Sequence, residues 1–202
     1  MNRSSNGGDG LLDSLTKAER MDQIVREIAL CRKCPLCESR KNTVPGAGDY
    51  GAKLVIVGEG PGAQEDEQGK PFVGRSGRLL DQIIASHGAL KRSDIFITNV
   101  VKCRPPGNRT PLPTEIEACK SYLIGQLNTL RPRVVLCMGS TATQTLSGQP
   151  GSLTRLRGRN LSGMSPAIVA TFHPSYGLRM GDPVVKLMET DYAFACSLAL
   201  GA

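Results

Sequence analysis

The chain has 202 residues, 40% of them hydrophobic and 4% aromatic with no tryptophan, enough for one sizeable core and little more. Lys and Arg number 25 against 18 Asp and Glu, and the net charge of +7 favours a polyanionic partner. No apolar run approaches membrane-spanning length, and the opening MNRSSNGGDG lacks the hydrophobic core of a secretion signal, so neither a membrane-embedded nor a secreted protein is expected.

Taken in chain order, residues 1–12 read as a disordered tail ahead of one domain over residues 13–202, with no internal repeat or linker to divide it. Leu15, Ala18, Met21, Ile24, Val25 and Ile28 recur at helical spacing, which predicts a helix from Ser14, its N-cap, to Leu30. That helix runs into Cys31-Arg32-Lys33-Cys34. Lys53 to Val57 is a short strand followed by a glycine-rich turn, Gly58-Glu59-Gly60-Pro61-Gly62. A helix over Gly77 to His87 stops at Gly88, and His87 reads as an ordinary residue of its last turn. Asp94 to Thr98 is the next strand, ending at Asn99. After a proline-rich loop from Arg104 to Pro113, a helix from Thr114 to Leu130 opens with Glu115 and Glu117 near its positive end. Arg133 to Met138 forms a third strand, followed by Gly139 and a helix through Leu146. Ala167 to Thr171 is a fourth strand, and Val184 to Leu200 a final helix.

Strands alternating with helices imply an α/β fold, a three-layer αβα sandwich around a mostly parallel four-stranded sheet. Ligands in such folds sit beyond the carboxyl ends of the strands. Glu59, Asn99 and His173 each follow a predicted strand, so they can converge on one crevice although far apart in sequence.

Seven cysteines, an odd number, argue against a disulfide framework and for metal or catalytic sulfur. Cys31-x-x-Cys34 ends a helix, Cys103 follows a strand, and Cys119 lies in the helix after the proline loop. Four such thiolates suit structural zinc or an iron–sulfur cluster equally. Cys37 could replace Cys34 as a ligand, but the tighter C-x-x-C spacing is preferred. Cys137 and Cys196 read as core residues.

The glycine loop lacks the Lys-Ser/Thr ending of a Walker loop and the spacing of a dinucleotide site. Its continuation is Gly58-Glu-Gly-Pro-Gly-Ala-Gln-Glu-Asp66, then Gly69-Lys-Pro-Phe-Val-Gly-Arg-Ser-Gly77. Ile97-Thr-Asn99, Lys102-Cys-Arg-Pro-Pro106, Asn108-Arg109 and Thr171-Phe-His-Pro-Ser-Tyr176 follow in order. In these motifs, from about Leu30 to Arg179, the chain resembles the family 4, iron–sulfur uracil-DNA glycosylases.

The resemblance implies a monofunctional enzyme that flips uracil from DNA and hydrolyses its N-glycosidic bond, leaving an abasic site for base excision repair. It implies a structural 4Fe-4S cluster on Cys31, Cys34, Cys103 and Cys119, a uracil pocket lined by Glu59 and Gly60, a stacking Phe72, and a base-reading Asn99. Glu65 and Asn108 support the site, and His173 faces the departing base. The attacking water falls to Glu59, to Glu65 or to backbone groups, because Gly60 stands where the best-known uracil glycosylases carry an aspartate. Arg75, Ser76, Gly77, Asn108, Arg109, Ser175 and Arg179 are the expected DNA contacts. The partner is uracil-containing DNA, single- or double-stranded, met by a monomer in the bacterial or archaeal cytoplasm at the nucleoid.

Physical reasons accompany these roles. One amide on Asn99 can accept from uracil N3–H and donate to O4, whereas cytosine reverses that pattern and leaves buried groups unpaired. A hydrogen bond from His173 to uracil O2 would stabilise the charge that develops as the bond breaks. The segment from Tyr176 to Met180 is expected to probe the minor groove, and Gly177 stands where the family usually has a leucine, which removes an apolar wedge group. Two alternatives compete with this reading. A cluster-bearing branch that cross-links to DNA needs a histidine in the loop after Asn99, and Val100 to Pro113 contains none. A non-catalytic iron–sulfur or zinc DNA-binding protein would not account for Phe72, Asn99 and His173 together.

Overall fold

The computed structural model describes residues 15–201. The tail expected over residues 1–12 and the Ser14 cap lie outside the described residues; the first helix, α1 (Lys17–Ala29), is instead capped by Thr16. The Thr16 hydroxyl accepts the Glu19 N–H at 3.3 Å, and the Glu19 carboxylate accepts the Thr16 N–H at 2.8 Å. Two donors left open by a helix start are thus satisfied reciprocally, which a lone Ser14 could not do.

The sheet has five strands in the order β1-β3-β2-β4-β5: β1 (Ala47–Gly48), β2 (Leu54–Gly58), β3 (Phe96–Asn99), β4 (Val134–Met138) and β5 (Ala167–Thr171). The four expected strands are parallel to one another. A fifth was not expected: β1 adds two residues antiparallel to β3, too short for any alternation to register in sequence. The third of the expected boundaries also moves, because Arg92–Asp94 form a 3-10 turn and β3 starts at Phe96.

Alternate residues of the central strands serve two cores, so both faces are covered. Leu54, Ile56, Val134, Leu136 and Met138 pack with α4 (Arg75–His87) and α9 (Asp182–Leu200). Val55, Val57, Val135 and Cys137 pack with α1 and α5 (Pro113–Leu130). Full burial of each Val, Leu or Ile contributes about 1.5–3 kcal/mol, which is why strands of five residues suffice. Cys137 and Cys196 are core residues, as expected, and His87 packs edge-on against Tyr192 in the last turn of α4. No helix among the described residues is long and apolar enough to cross a membrane.

After β2 the chain passes through α3 (Ala63–Gln68) to α4 on one face. After β3 and β4 it passes to α5 and to α6 (Ser140–Ser147) on the other. After β5 it returns through α8 (Pro174–Met180) to α9 on the first face, and two four-residue helices, α2 (Leu36–Ser39) and α7 (Leu153–Leu156), lie in the connections after α1 and α6. The diverging loops leave a crevice above the strand ends.

Candidate active site and cysteine centre

A cleft of about 830 Å³ occupies that crevice, and its lining includes Glu59, Gly60, Glu65, Phe72, Ser76, Asn99, Asn108, Arg109, His173, Ser175 and Arg179. The expected convergence therefore holds. Asn99 ends β3 almost fully buried, and its Oδ1 has no hydrogen-bond partner. A buried acceptor left open costs about 1–3 kcal/mol, so it awaits a donor. Gly58 makes this placement possible, since a Cβ there would fall 2.4 Å from Asn99 Oδ1 and 2.7 Å from Phe72 Cζ.

Phe72 is held rather than left in a mobile loop. It is buried, with φ of +51°, and Gly77 lies beneath it: a Cβ on Gly77 would fall 1.9 Å from the Phe72 carbonyl oxygen. Gly77 is thus a packing residue inside the first turn of α4, where any side chain would collide with the Phe72 backbone. Arg75 and Ser76 start that helix two residues earlier than the sequence suggested, with Arg75 exposed and Ser76 on the cleft.

The two carboxylates have different partners. Glu65 Oε1 accepts the N–H groups of Val73 and Gly74 at 2.9 and 2.7 Å, tying α3 to the segment that carries Phe72. Glu59 is half-buried and accepts the Thr141 hydroxyl through Oε2. A Cβ on Gly60 would fall 2.8 Å from Val101 Cγ2, so a carboxylate there would require the buried Val101 to shift.

His173 caps α8, with Pro174 as its first helical residue. Its Nδ1 accepts the Ser175 N–H at 3.2 Å, and Ser175 Oγ lies 2.8 Å away. Nδ1 is therefore unprotonated and the ring hydrogen sits on Nε2. Burial, opposed by Glu65 and reinforced by Arg179, pushes the His173 pKa down to about 4, so the imidazole is neutral near pH 7. The His173 and Phe72 ring centroids are 6.0 Å apart. Ser175 is thus engaged with His173, while exposed Arg179 remains at the cleft mouth beside the Tyr176 ring.

One expectation near the mouth is corrected. The segment from Tyr176 to Met180 is part of helix α8, and Gly177 faces inward. A Cβ there would meet Met188 Sδ at 3.1 Å and Leu79 Cδ2 at 3.2 Å, so Gly177 never occupied a wedge position; Leu178 and Met180 are the exposed apolar groups. Arg109 is committed to Glu115, which is 1% exposed, through bonds of 2.8 and 2.6 Å. Glu115 also accepts the Leu112 N–H, so the pair closes the proline loop onto α5 while Arg109 keeps its place on the cleft. Asn108, with φ of +56°, accepts from Arg104 Nε at 2.7 Å and keeps its place on the cleft.

Sequence reasoning missed Thr141 and Lys102. Thr141 sits in the β4–α6 turn, where Gly139-Ser140-Thr141 at a strand end was the available signal. Lys102 is 1% exposed and has no carboxylate partner; burial pushes its ammonium down to about 7.

Cys31, Cys34, Cys103 and Cys119 line a second cavity together with Cys37, Arg40 and Tyr122. All are free thiols. Arg40 Nη1 donates to Cys103 Sγ at 3.1 Å. Burial pushes the Cys103 thiol up to about 11 and raises Cys34 and Cys119 as well. Among the described residues no group of three or more His, Cys, Asp or Glu is arranged to hold a single metal ion.

The sequence model of the uracil DNA glycosylase superfamily matches residues 45–190. A type-4 uracil-DNA glycosylase of Archaeoglobus fulgidus is 44% identical over 78% of this chain and 82% of its own length. One from Thermotoga maritima is 42% identical over 81% of this chain and 86% of its own. A type-5 uracil-DNA glycosylase of Pyrobaculum aerophilum is 28% identical over 76% of this chain and 82% of its own.

Proposed function

The chain belongs to the type-4 uracil-DNA glycosylases of the uracil DNA glycosylase superfamily, and from that premise we propose that the strand-end cleft is where a flipped uracil is read and released. The activity is hydrolysis of the N-glycosyl bond of uracil in DNA, the first step of base excision repair. The observation that carries the site assignment is the buried, unpaired Oδ1 of Asn99 in a cleft it shares with Phe72 and His173.

In this reading Phe72 supplies the apolar face for the extruded base. Asn99 Oδ1 accepts uracil N3–H, and its amide nitrogen donates to O4. As the C1′–N1 bond breaks, its electron pair passes to the uracil ring, and the negative charge on O2 is met by the Nε2–H of neutral His173. The sugar is left oxocarbenium-like. Glu59, held by Thr141, orients the water that bonds to C1′ and takes up its proton, while Glu65 keeps the Phe72 segment in place. Arg75, Ser76, Asn108 and Arg179 border the path of the DNA backbone, and Ser175 acts through His173.

The four cysteines of the second cavity fit a 4Fe-4S cluster. They come from three chain segments, the stretch after α1, the loop after β3 and α5, carry no disulfide, and have a cationic donor on one sulfur. Such a cluster would supply structure, pinning the segment after α1 to the loop after β3; excision needs no redox step.

We read residues 13–202 as one domain acting as a monomer on single- or double-stranded DNA at the nucleoid. One continuous sheet supports the single domain, and the net charge of +7 suits a polyanionic partner.

The test is cleavage of a uracil-containing oligonucleotide by iron-loaded protein, with Asn99→Ala and His173→Ala as controls. Abasic product from wild type, and a rate lowered by about 100-fold or more in each variant, is expected. No product from folded, loaded wild type would overturn the reading.

A further inference from the structure

Lys102 belongs to neither the cleft nor the expected ligand set, yet it is the most completely buried cation among the described residues. Its Nζ donates to Asn99 O at 2.6 Å, Thr98 Oγ1 at 2.7 Å and Gln126 Oε1 at 2.8 Å. The roles in this network are fixed by the other bonds. Thr98 Oγ1 donates its own hydrogen to Pro45 O at 2.9 Å, and the Gln126 amide nitrogen donates to the same carbonyl at 2.7 Å. The Thr98 oxygen and the Gln126 carbonyl are therefore left as acceptors. Three acceptors thus meet the three N–H donors of one ammonium, with none spare.

The segment carrying Lys102 is itself anchored. The Val100 and Val101 N–H groups donate to Gly58 O and Glu59 O at 2.9 and 3.1 Å, and Lys102 O accepts from Val44. Chain neighbour Cys103 lies on the cysteine cavity, and so does Lys102. Gln126 stands two turns along α5 from Cys119.

We propose that Lys102 is a positioning residue for base recognition. Its ammonium fixes the carbonyl of Asn99 and so aims the Asn99 amide at the base, joining the reading residue to the Cys103 and Cys119 segments. The inference rests on the assignment of Asn99 as the uracil reader.

The experiment compares iron-loaded wild type with Lys102→Met and with the milder Thr98→Val, which removes one acceptor at nearly constant shape. Four quantities are read: absorbance near 400 nm per protein, affinity for duplex DNA carrying a tetrahydrofuran abasic analogue, inhibition by free uracil, and the single-turnover excision rate. Absorbance and abasic-analogue affinity should stay at wild-type values. Inhibition by free uracil and the excision rate should each weaken by about tenfold in Lys102→Met, the scale on which outer-shell support of a working group is felt, and by less in Thr98→Val. Free-uracil inhibition equal to wild type in both variants would overturn the proposal. So would loss of abasic-analogue affinity in parallel with uracil affinity, which marks a general structural role. If Lys102→Met fails to fold or to load, Thr98→Val decides alone on the same criterion. Wild type that excises no uracil sinks the glycosylase site assignment instead, so the two failures are distinguishable.

Discussion

Glu65 and Gly74 are joined by a 2.7 Å hydrogen bond from the Gly74 N–H to the carboxylate, and the same oxygen accepts from Val73. The bond makes Glu65 a clasp on the turn between Phe72 and α4. Glu59 instead spends one oxygen on Thr141 and faces the cleft.

The two carboxylates therefore respond differently to substitution. Glu65→Gln keeps an acceptor for both N–H groups and should cut the single-turnover rate less than about tenfold. Glu65→Ala leaves two donors without a partner and should lower stability by about 1–3 kcal/mol, seen in urea melts. Glu59→Gln should leave stability and DNA affinity near wild type while lowering the rate by about 100-fold. Glu65→Gln losing as much rate as Glu59→Gln, with stability unchanged, would move the water to Glu65.

The pH dependence follows from His173. Its pKa of about 4 lies below the usual 6.5, because burial disfavours the imidazolium. Between those values the unfolded chain binds a proton that the folded protein does not. The contribution to stability is complete above pH 6.5 and is lost as pH falls towards 4. Neutral Nε2–H remains the donor over the same range, so His173 should contribute no break near 6.5 to single-turnover rates from pH 8 to about 5. A break there that disappears in His173→Gln would contradict this.

Gly177 gives a prediction opposite to the one its sequence position suggests. Gly177→Leu would not restore a wedge; it would drive carbon into Met188 and Leu79, and overpacking of this kind costs about 1–3 kcal/mol. Leu178→Ala and Met180→Ala should instead weaken excision from duplex more than from single-stranded substrate. A Gly177→Leu protein of normal stability and improved duplex activity would reverse the assignment.

Four cysteines are assigned to the cluster and Cys37 is left outside it. Cys103→Ser or Cys119→Ser should lose most absorbance near 400 nm and lower the melting temperature, whereas Cys37→Ser should keep both. Loss of absorbance in Cys37→Ser, with Cys34→Ser unaffected, would exchange their roles.

Much of this was legible in the sequence because the informative residues sit at strand ends. β-branched runs closed by glycine or a polar residue placed Glu59, Asn99 and His173 on one rim, and the family motifs added Phe72 and the cysteines. What escaped depends on packing across distant elements. A helix capped by histidine departs from the usual Ser, Thr, Asp or Asn caps, so α8 was not expected and the inward turn of Gly177 was hidden. Arg109 looked free because Glu115 was read as a partner of the helix dipole rather than of a guanidinium. Lys102 was given no role because one of its acceptors, Gln126, comes from α5, and β3 supplies the other two through a hydroxyl and a backbone carbonyl.

The central claim is that the open carbonyl of Asn99 reads uracil N3–H. The direct measurement is single-turnover excision from oligonucleotides carrying uracil or N3-methyluracil, by wild type and by Asn99→Ala. Wild type should favour uracil by at least about 100-fold, since methylation removes the donor that Asn99 needs, and Asn99→Ala should lose most of that preference along with most of its rate. Equal rates on the two substrates by wild type, or an unchanged ratio in Asn99→Ala, would contradict the account.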